Sequence, residues 1–461
     1  MESPKPSDYQ SPLSSRYSSR EMSRLFSDQF KYSTWRRLWI ALAKGERAQG
    51  LPITDAQIAE MEQHVDEIDF AQVAVYEKKL QHDVMAHIHT YGDLCPSARP
   101  IIHLGATSCY VTDNTDVIQM QHGLDILLKK LKIITGQLAE FCRQHADLAC
   151  LALTHFQPAQ PTTVGKRAAL WLQDFLEDAA EISSRRNALR FLGVKGTTGT
   201  QASFLQLFDN DSAKVTALEE CVCNEMGFEK TYRVTGQTYP RKQDSFVLGS
   251  LAQFGASAHK FSTDLRLLAG MKELEEPFGQ DQVGSSAMPY KRNPMLSERI
   301  SSLSRYLMNI AQNPLQTASL QWLERTLDDS ANRRLAIAEA FLCADALMEL
   351  LIRVTQGIVV NRGMIKKRLY EELPFMVTEM ILMAAASKGG DRQTLHEAIR
   401  KKSIETAREI KEEGKPNTLL KKIADDPLFA MSLEEIQQLI DKSQLTGRAG
   451  EQVREFLEEV L

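Results

Sequence analysis

The chain has 461 residues, 43% of them hydrophobic and 25% charged, with a formal net charge of −5. That length sets a prior of about three domains, and that composition is ordinary for a globular protein. The weak negative charge excludes a general polyanion binder, nucleic acid included, so local cations must hold any anionic ligand.

Seven cysteines (95, 109, 142, 150, 221, 223 and 343) are odd in number and scattered. They read as reduced thiols of a cytosolic protein, not as a disulfide framework. Cys221 and Cys223 have no second Cys or His pair at zinc spacing, so no metal is expected there. The N-terminus lacks the apolar segment of a secretory signal. The most apolar long window, residues 335–354, is interrupted by Glu339, Asp345 and Glu349, which excludes an ordinary membrane span.

In chain order, the first 23 residues hold eight Ser and three Pro and read as a poorly ordered arm. From Tyr32 onward the apolar period is helical. Leu124, Leu127, Leu128, Leu131, Ile134, Leu138 and Phe141 recur at steps of three and four. Leu335, Ile337, Ala338, Phe341 and Leu342 form a second stripe, and Val453, Phe456, Leu457 and Val460 a third. Alternating strand patterns are scarce, so the fold class is all-α with long helices in the middle third. Boundaries are expected near residues 110 and 360.

Polar side chains collect in the Gly- and Pro-rich breaks between helices: GATS (105–108), THFQPAQP (154–161), GVKGTTGT (193–200), TGQTYPRK (235–242) and EPFGQDQVGSSAMPYKRNP (276–294). Function is expected in these loops, with the helices as scaffold.

Residues 82–89, HDVMAHIH, read as helix, with His82 and His89 on one face and Asp83 and His87 as an i, i+4 pair. The spacing does not match a metalloprotease His pair. The histidines are either structural and half-exposed or part of a polar face turned to an anion. His155, just ahead of a Pro-punctuated loop, is either structural or a general acid–base group. Asp329 or Ser330 is a plausible cap for the helix that follows, whose N-terminus favours anions. Ser330 and Arg334 lie four apart there, with Arg325 arriving from the preceding segment. The stretch is a phosphate or carboxylate site, or else a capped helix with solvated arginines.

GSSAMPYKRNP, residues 284–294, sets Ser285 and Ser286 beside Lys291, Arg292 and Asn293. A hydroxyl works as a base only as an alkoxide stabilised by nearby cations and N–H groups. Gly279 and Gly284 would let the loop close, and Pro289 and Pro294 would limit it. No Gly-x-Ser-x-Gly elbow, phosphate-binding P-loop or dinucleotide fingerprint is present.

This loop resembles the signature of the fumarase/aspartase superfamily. HDVMAH (82–87), HLGATS (103–108), THFQPAQ (154–160), KGTTGTQASF (195–204), TGQTY (235–239) and TLDDSANRR (326–334) extend the likeness from about Arg16 to the C-terminus. Together they are similar to the eukaryotic adenylosuccinate lyases. The resemblance implies a three-domain fold (1–110, 111–360 and 361–461) with a long central helical bundle. It also implies a homotetramer whose active sites are shared between subunits, nucleotide substrates, and no cofactor. The implied reactions release fumarate from adenylosuccinate and from succinylaminoimidazole carboxamide ribotide (SAICAR).

By the same resemblance, Ser285 is the catalytic base and His155 the general acid. Lys291 and Asn293 stabilise the aci-carboxylate dianion, and His82 and Asp83 support the acid and the phosphate. Thr107, Ser108 and Gln237 hold the succinyl group; Arg16, Tyr17, Arg299, Arg325, Ser330 and Arg334 contact nucleotide and phosphate. The pattern calls for Arg where this chain has Gln81, and the segment after Glu458 is shorter than the pattern. The rival readings are a sister lyase without a phosphate site, a non-catalytic binding protein, and a nucleotide-sensing scaffold.

Overall fold

A computed structural model describes residues 8–279, 282, 287–288, 290–441 and 444–460. The fold is all-α, with 69% of the chain helical. Its long helices are Ser108–Gln144, Val164–Ala188, Lys242–Gly270 and Asp329–Thr355. The 124–141 stripe is buried at every position but Leu128, which is half-buried. The helix 329–355 is buried on all sides from Ala340 to Met348, as a helix hydrophobic all round must be. Leu335, counted with its apolar stripe, is instead 65% exposed, because it lies outside that buried stretch. Gly123 lets this helix approach the 108–144 helix, since a Cβ there would meet the Phe341 ring at 2.6 Å.

The chain divides into two compact units. The first comprises residues up to Ile133, Phe175–Lys260 and Arg299–Ile352. Its N-terminal segment is ordered sooner than its Ser and Pro content suggests. Leu13 and Met22 are buried, Ser19 caps the helix Arg20–Leu25, and the Ser19 N–H donates to Asp345 at 2.6 Å. Apolar anchors and a buried carboxylate acceptor outweigh the disorder-prone composition. Asn114, inside the 108–144 helix, pins the glycine-rich 193–200 loop. Its Oδ1 accepts from the N–H of Leu192 and Gly193, and its Nδ2 donates to the Gly193 carbonyl.

The second unit comprises Ile134–Asp174, Phe261–Glu298 and residues from Arg353 on. It holds the main strand pair, an antiparallel hairpin of Ala149–Thr154 with Gln157–Thr163. Its C-terminal helices close over Val377, Ile381, Leu395, Ile423, Phe429 and Ile436. The Glu276 carboxylate accepts from the N–H of Leu296 and Ser297 and from the Ser297 hydroxyl, all at 2.8–3.0 Å. It therefore caps the helix Met295–Ile310 and ties together the two ends of the 276–294 loop. Among the described residues no helix is long and apolar enough to cross a membrane.

Candidate active site

A cleft of about 560 Å3 in the first unit gathers side chains from distant parts of the sequence. His82, Asp83, Thr107 and Ser108 line it, together with Gln237, Arg325, Ser330 and Arg334. The starts of three helices (Asp83–Leu94, Ser108–Gln144 and Asp329–Thr355) meet there. Each start carries the partial positive charge of a helix N-terminus, which suits an anion.

Local backbone geometry aims these groups. Gln81 ends the helix Phe70–Leu80 in the left-handed region (φ 50°), and the chain restarts at once with His82 as N-cap. His82 is thus not on the helix, and it shares no helical face with His89. Its Nδ1 accepts the Met85 N–H at 3.3 Å, and its Nε2 lies 3.5 Å from the Ser108 hydroxyl. His87 does not face an anion either. It is buried against Tyr32 at 3.8 Å, and burial beside Arg36 pushes its pKa down to about 3. Gln81 lines the cleft with an exposed amide.

Three loops stack to place Gln237. The Gln237 N–H donates to Glu324 O, and its amide donates to Thr197 O, both at 3.0 Å. The stack depends on glycine. A Cβ on Gly199 (φ 80°) would sit 2.0 Å from the Thr235 carbonyl oxygen, and one on Gly236 would sit 2.5 Å from Glu324 O.

Beneath the cleft lies a buried ion network that the sequence reading missed. Arg241 grips Asp113 with two bonds (2.8 and 3.1 Å) and reaches Asp329 at 2.7 Å. Arg333 bonds Asp244 at 2.7 Å and Asp116 at 2.9 Å, and both guanidinium groups lie over the Tyr239 ring. Arg325 closes on Asp329 at 2.8 Å. Asp329 is therefore a buried acceptor for two arginines, and Arg325 is half of an ion pair before any ligand arrives. On the rim, Arg334 bonds Asp83 at 2.7 Å. Burial works to raise the Asp83 pKa, but Arg334 and the Val84 N–H hold it below its ordinary value. Arg241 stood in a polar loop and Arg333 in a motif that the sequence singles out, though neither was given a role; Lys31, Asp113 and Asp116 carried no signal beyond helical spacing.

The other candidates lie elsewhere. Arg16, Tyr17 and Arg299 form their own group in the first unit, with both guanidinium groups within 6 Å of the Tyr17 ring centre (5.8 and 5.5 Å). They are not among the residues lining the cleft. His155 belongs to the second unit. It sits with Phe156 at the two-residue tip of the hairpin, both exposed and both left-handed (φ 52° and 59°). Two non-glycine residues in that region are strained, a condition concentrated at functional sites. Lys291 is exposed and Asn293 half-buried, also in the second unit. Ser285 lies outside the described residues, as does Ser286. A larger cavity of about 720 Å3 in the second unit, around Arg362, Tyr370 and Arg454, gathers none of the candidates.

The family model described as "Lyase" matches residues 18–308, and that described as "Adenylosuccinate lyase C-terminus" matches residues 374–456. The chain is 50% identical over 454 residues to the adenylosuccinate lyase of Saccharomyces cerevisiae, covering 98% of this chain and 94% of that one. It is 48% identical over 452 residues to that of Schistosoma mansoni, covering 98% and 94%. Among solved structures, the 3-carboxy-cis,cis-muconate lactonizing enzyme of Pseudomonas putida superposes with a TM-score of 0.84 at 21% identity, covering 97% of this chain and 98% of that one. A fumarate lyase from Mesorhizobium sp. BNC1 gives 0.80 at 22% identity, covering 96% and 98%. At those identities the two structures support the fold alone.

Proposed function

We propose that this chain, which belongs to the adenylosuccinate lyase family, eliminates fumarate from adenylosuccinate to give AMP and from SAICAR to give the carboxamide ribotide. The observation that carries the reading is the convergence of residues 82–83, 107–108, 237 and 325–334 on one cleft where three helices begin. Such a cleft suits a nucleotide phosphate and a dicarboxylate, because N–H groups and guanidinium groups lie around one space.

In this reading Ser285, as alkoxide, takes the proton from the carbon beside the distal carboxylate. The resulting aci-carboxylate dianion is where oriented cations and amides are worth most, and Lys291 and Asn293 supply them. The C–N bond then breaks, and His155 protonates the departing nitrogen. His82 and Asp83 orient the site. Thr107, Ser108 and Gln237 hold the succinyl carboxylates by hydrogen bonds. Arg16, Tyr17, Arg299, Arg325, Ser330 and Arg334 contact the nucleotide and its phosphate. No cofactor enters any step.

The enzyme acts as a homotetramer, with His155, Ser285 and Lys291 reaching a cleft from other copies, and three domains meet at residues 110 and 360. An exposed apolar run supports self-association: Leu315, Leu320, Trp322, Leu323 and Leu327 are each at least 60% exposed. All seven cysteines are free thiols, which fits a cytoplasmic location. The test is to add each succinylated nucleotide to the purified protein and follow fumarate release. A folded protein that releases none from either substrate overturns the reading.

A further inference from the structure

The charges of the cleft are almost all spoken for. Arg241, Arg325 and Arg333 are tied to buried aspartates, and Arg334 is tied to Asp83. Lys31 also lines the cleft, from the helix Asp28–Ala48. Among the described residues it has no carboxylate within ion-pair distance. Its ammonium instead lies over two aromatic rings, 5.2 Å from the centre of Tyr32 and 5.4 Å from that of Trp35. Trp35 is fully buried and Tyr32 is stacked on His87, so the rings form a fixed platform for the lysine stem. The charges that act on Lys31 are Arg334, Asp116, Asp28 and Asp83. It therefore stands beside the rim ion pair and near the start of the 329–355 helix.

An ammonium that is half-buried, near another cation and without an anion of its own is costly in the free protein. Burial and Arg334 lower its pKa accordingly. An entering dianion would relieve that cost, whereas the four arginines would first have to share or release their aspartates. We propose that Lys31 is a phosphate-binding residue of this cleft, receiving the 5′-phosphate monoester of the nucleotide together with Ser330 and Arg334. The proposal rests on the functional reading above for the identity of the nucleotide. A lysine suits the task because it meets phosphate as a point charge from a flexible stem, with no fixed fork to orient.

The test uses the full-length protein and the variants Lys31→Met and Lys31→Arg, each checked for an unchanged melting temperature. AMP affinity is measured by calorimetry at several salt concentrations, beside KM and kcat for adenylosuccinate. Lys31→Met is expected to weaken AMP binding and raise KM by about 10- to 100-fold, with kcat changed far less. It also flattens the salt dependence of AMP binding, and Lys31→Arg recovers most of the affinity. Adenosine, which lacks the phosphate, binds wild type and Lys31→Met alike. AMP affinity of Lys31→Met within twofold of wild type overturns the proposal, even if KM for adenylosuccinate rises. An equal loss for adenosine overturns it too. Absence of turnover in wild type defeats the functional reading, while the AMP comparison still decides the role of Lys31.

Discussion

Arg334 and Asp83, 251 residues apart in sequence, are joined at the cleft by a 2.7 Å ion pair that unites the starts of two helices. Asp83 thereby fixes where the Arg334 guanidinium stands before a ligand arrives. Replacing Asp83 with Asn keeps the shape and removes the charge. We expect kcat/KM for adenylosuccinate to fall about 10- to 100-fold, the worth of a charge-assisted bond, with the melting temperature within a few degrees of wild type. Steady-state kinetics beside a thermal scan checks both. Because the folded pKa of Asp83 is lowered, its contribution to stability is present above about pH 4 and is lost as pH falls through the folded value.

Arg241 is a stability residue beneath the cleft. Removing it leaves Asp113 and Asp329 buried with a cation missing. Arg241→Met is expected to cost about 3–5 kcal/mol, read from the urea midpoint. A loss under about 1 kcal/mol would mean that the network relaxes around the gap.

Gly199 is irreplaceable for two reasons, its φ of 80° and the 2.0 Å approach of the Thr235 carbonyl to any Cβ. Gly199→Ala is expected to destabilise by about 2–4 kcal/mol and to displace Gln237. Activity should fall even where the variant is still folded, because the 193–200 loop accepts the Gln237 amide.

Glu46 is fully buried, and neither of its carboxyl oxygens has a hydrogen-bond partner among the described residues. Burial pushes its pKa up to about 9. The folded chain then holds a proton that the unfolded chain loses above about pH 4.3, so this group makes stability fall as pH rises from there to about 9. Glu46→Leu is expected to be more stable than wild type at pH 8, with an advantage that shrinks towards pH 5. Melting temperatures across that range test the slope, and parallel curves would show that Glu46 is not buried neutral.

Trp322 and Leu323 are 67% and 92% exposed, and Leu323 has a positive φ of 52°. Leu323→Asp with Trp322→Asp is expected to convert the proposed tetramer to smaller species in sedimentation velocity. Turnover should be lost with it, because the proposed sites need more than one subunit.

Much of the fold was legible because helical periodicity is a local signal: the 124–141 stripe is nearly all buried where the spacing puts it. The hairpin at 149–163 was not, since Gln-Pro-Ala-Gln-Pro carries no alternation, and pairing with residues 149–154 makes it a strand. Likewise His82 read as a helical residue because nothing local reveals that Gln81 is left-handed. Motifs brought Thr107, Gln237 and Ser330 to one cleft, whereas Lys31 stayed invisible. A lysine one turn into a helix is ordinary, and only tertiary packing shows what lies opposite it.

In the proposed mechanism a serine alkoxide removes a carbon-bound proton while an imidazole delivers one to the leaving nitrogen. The most direct measurement is the absorbance change on mixing adenylosuccinate with wild type, Ser285→Ala and His155→Ala, all shown to have the same assembly. Wild type is expected to give AMP and fumarate, and each variant to lose at least about 100-fold in rate. A wild-type rate from either variant, with its fold and assembly intact, contradicts the mechanism.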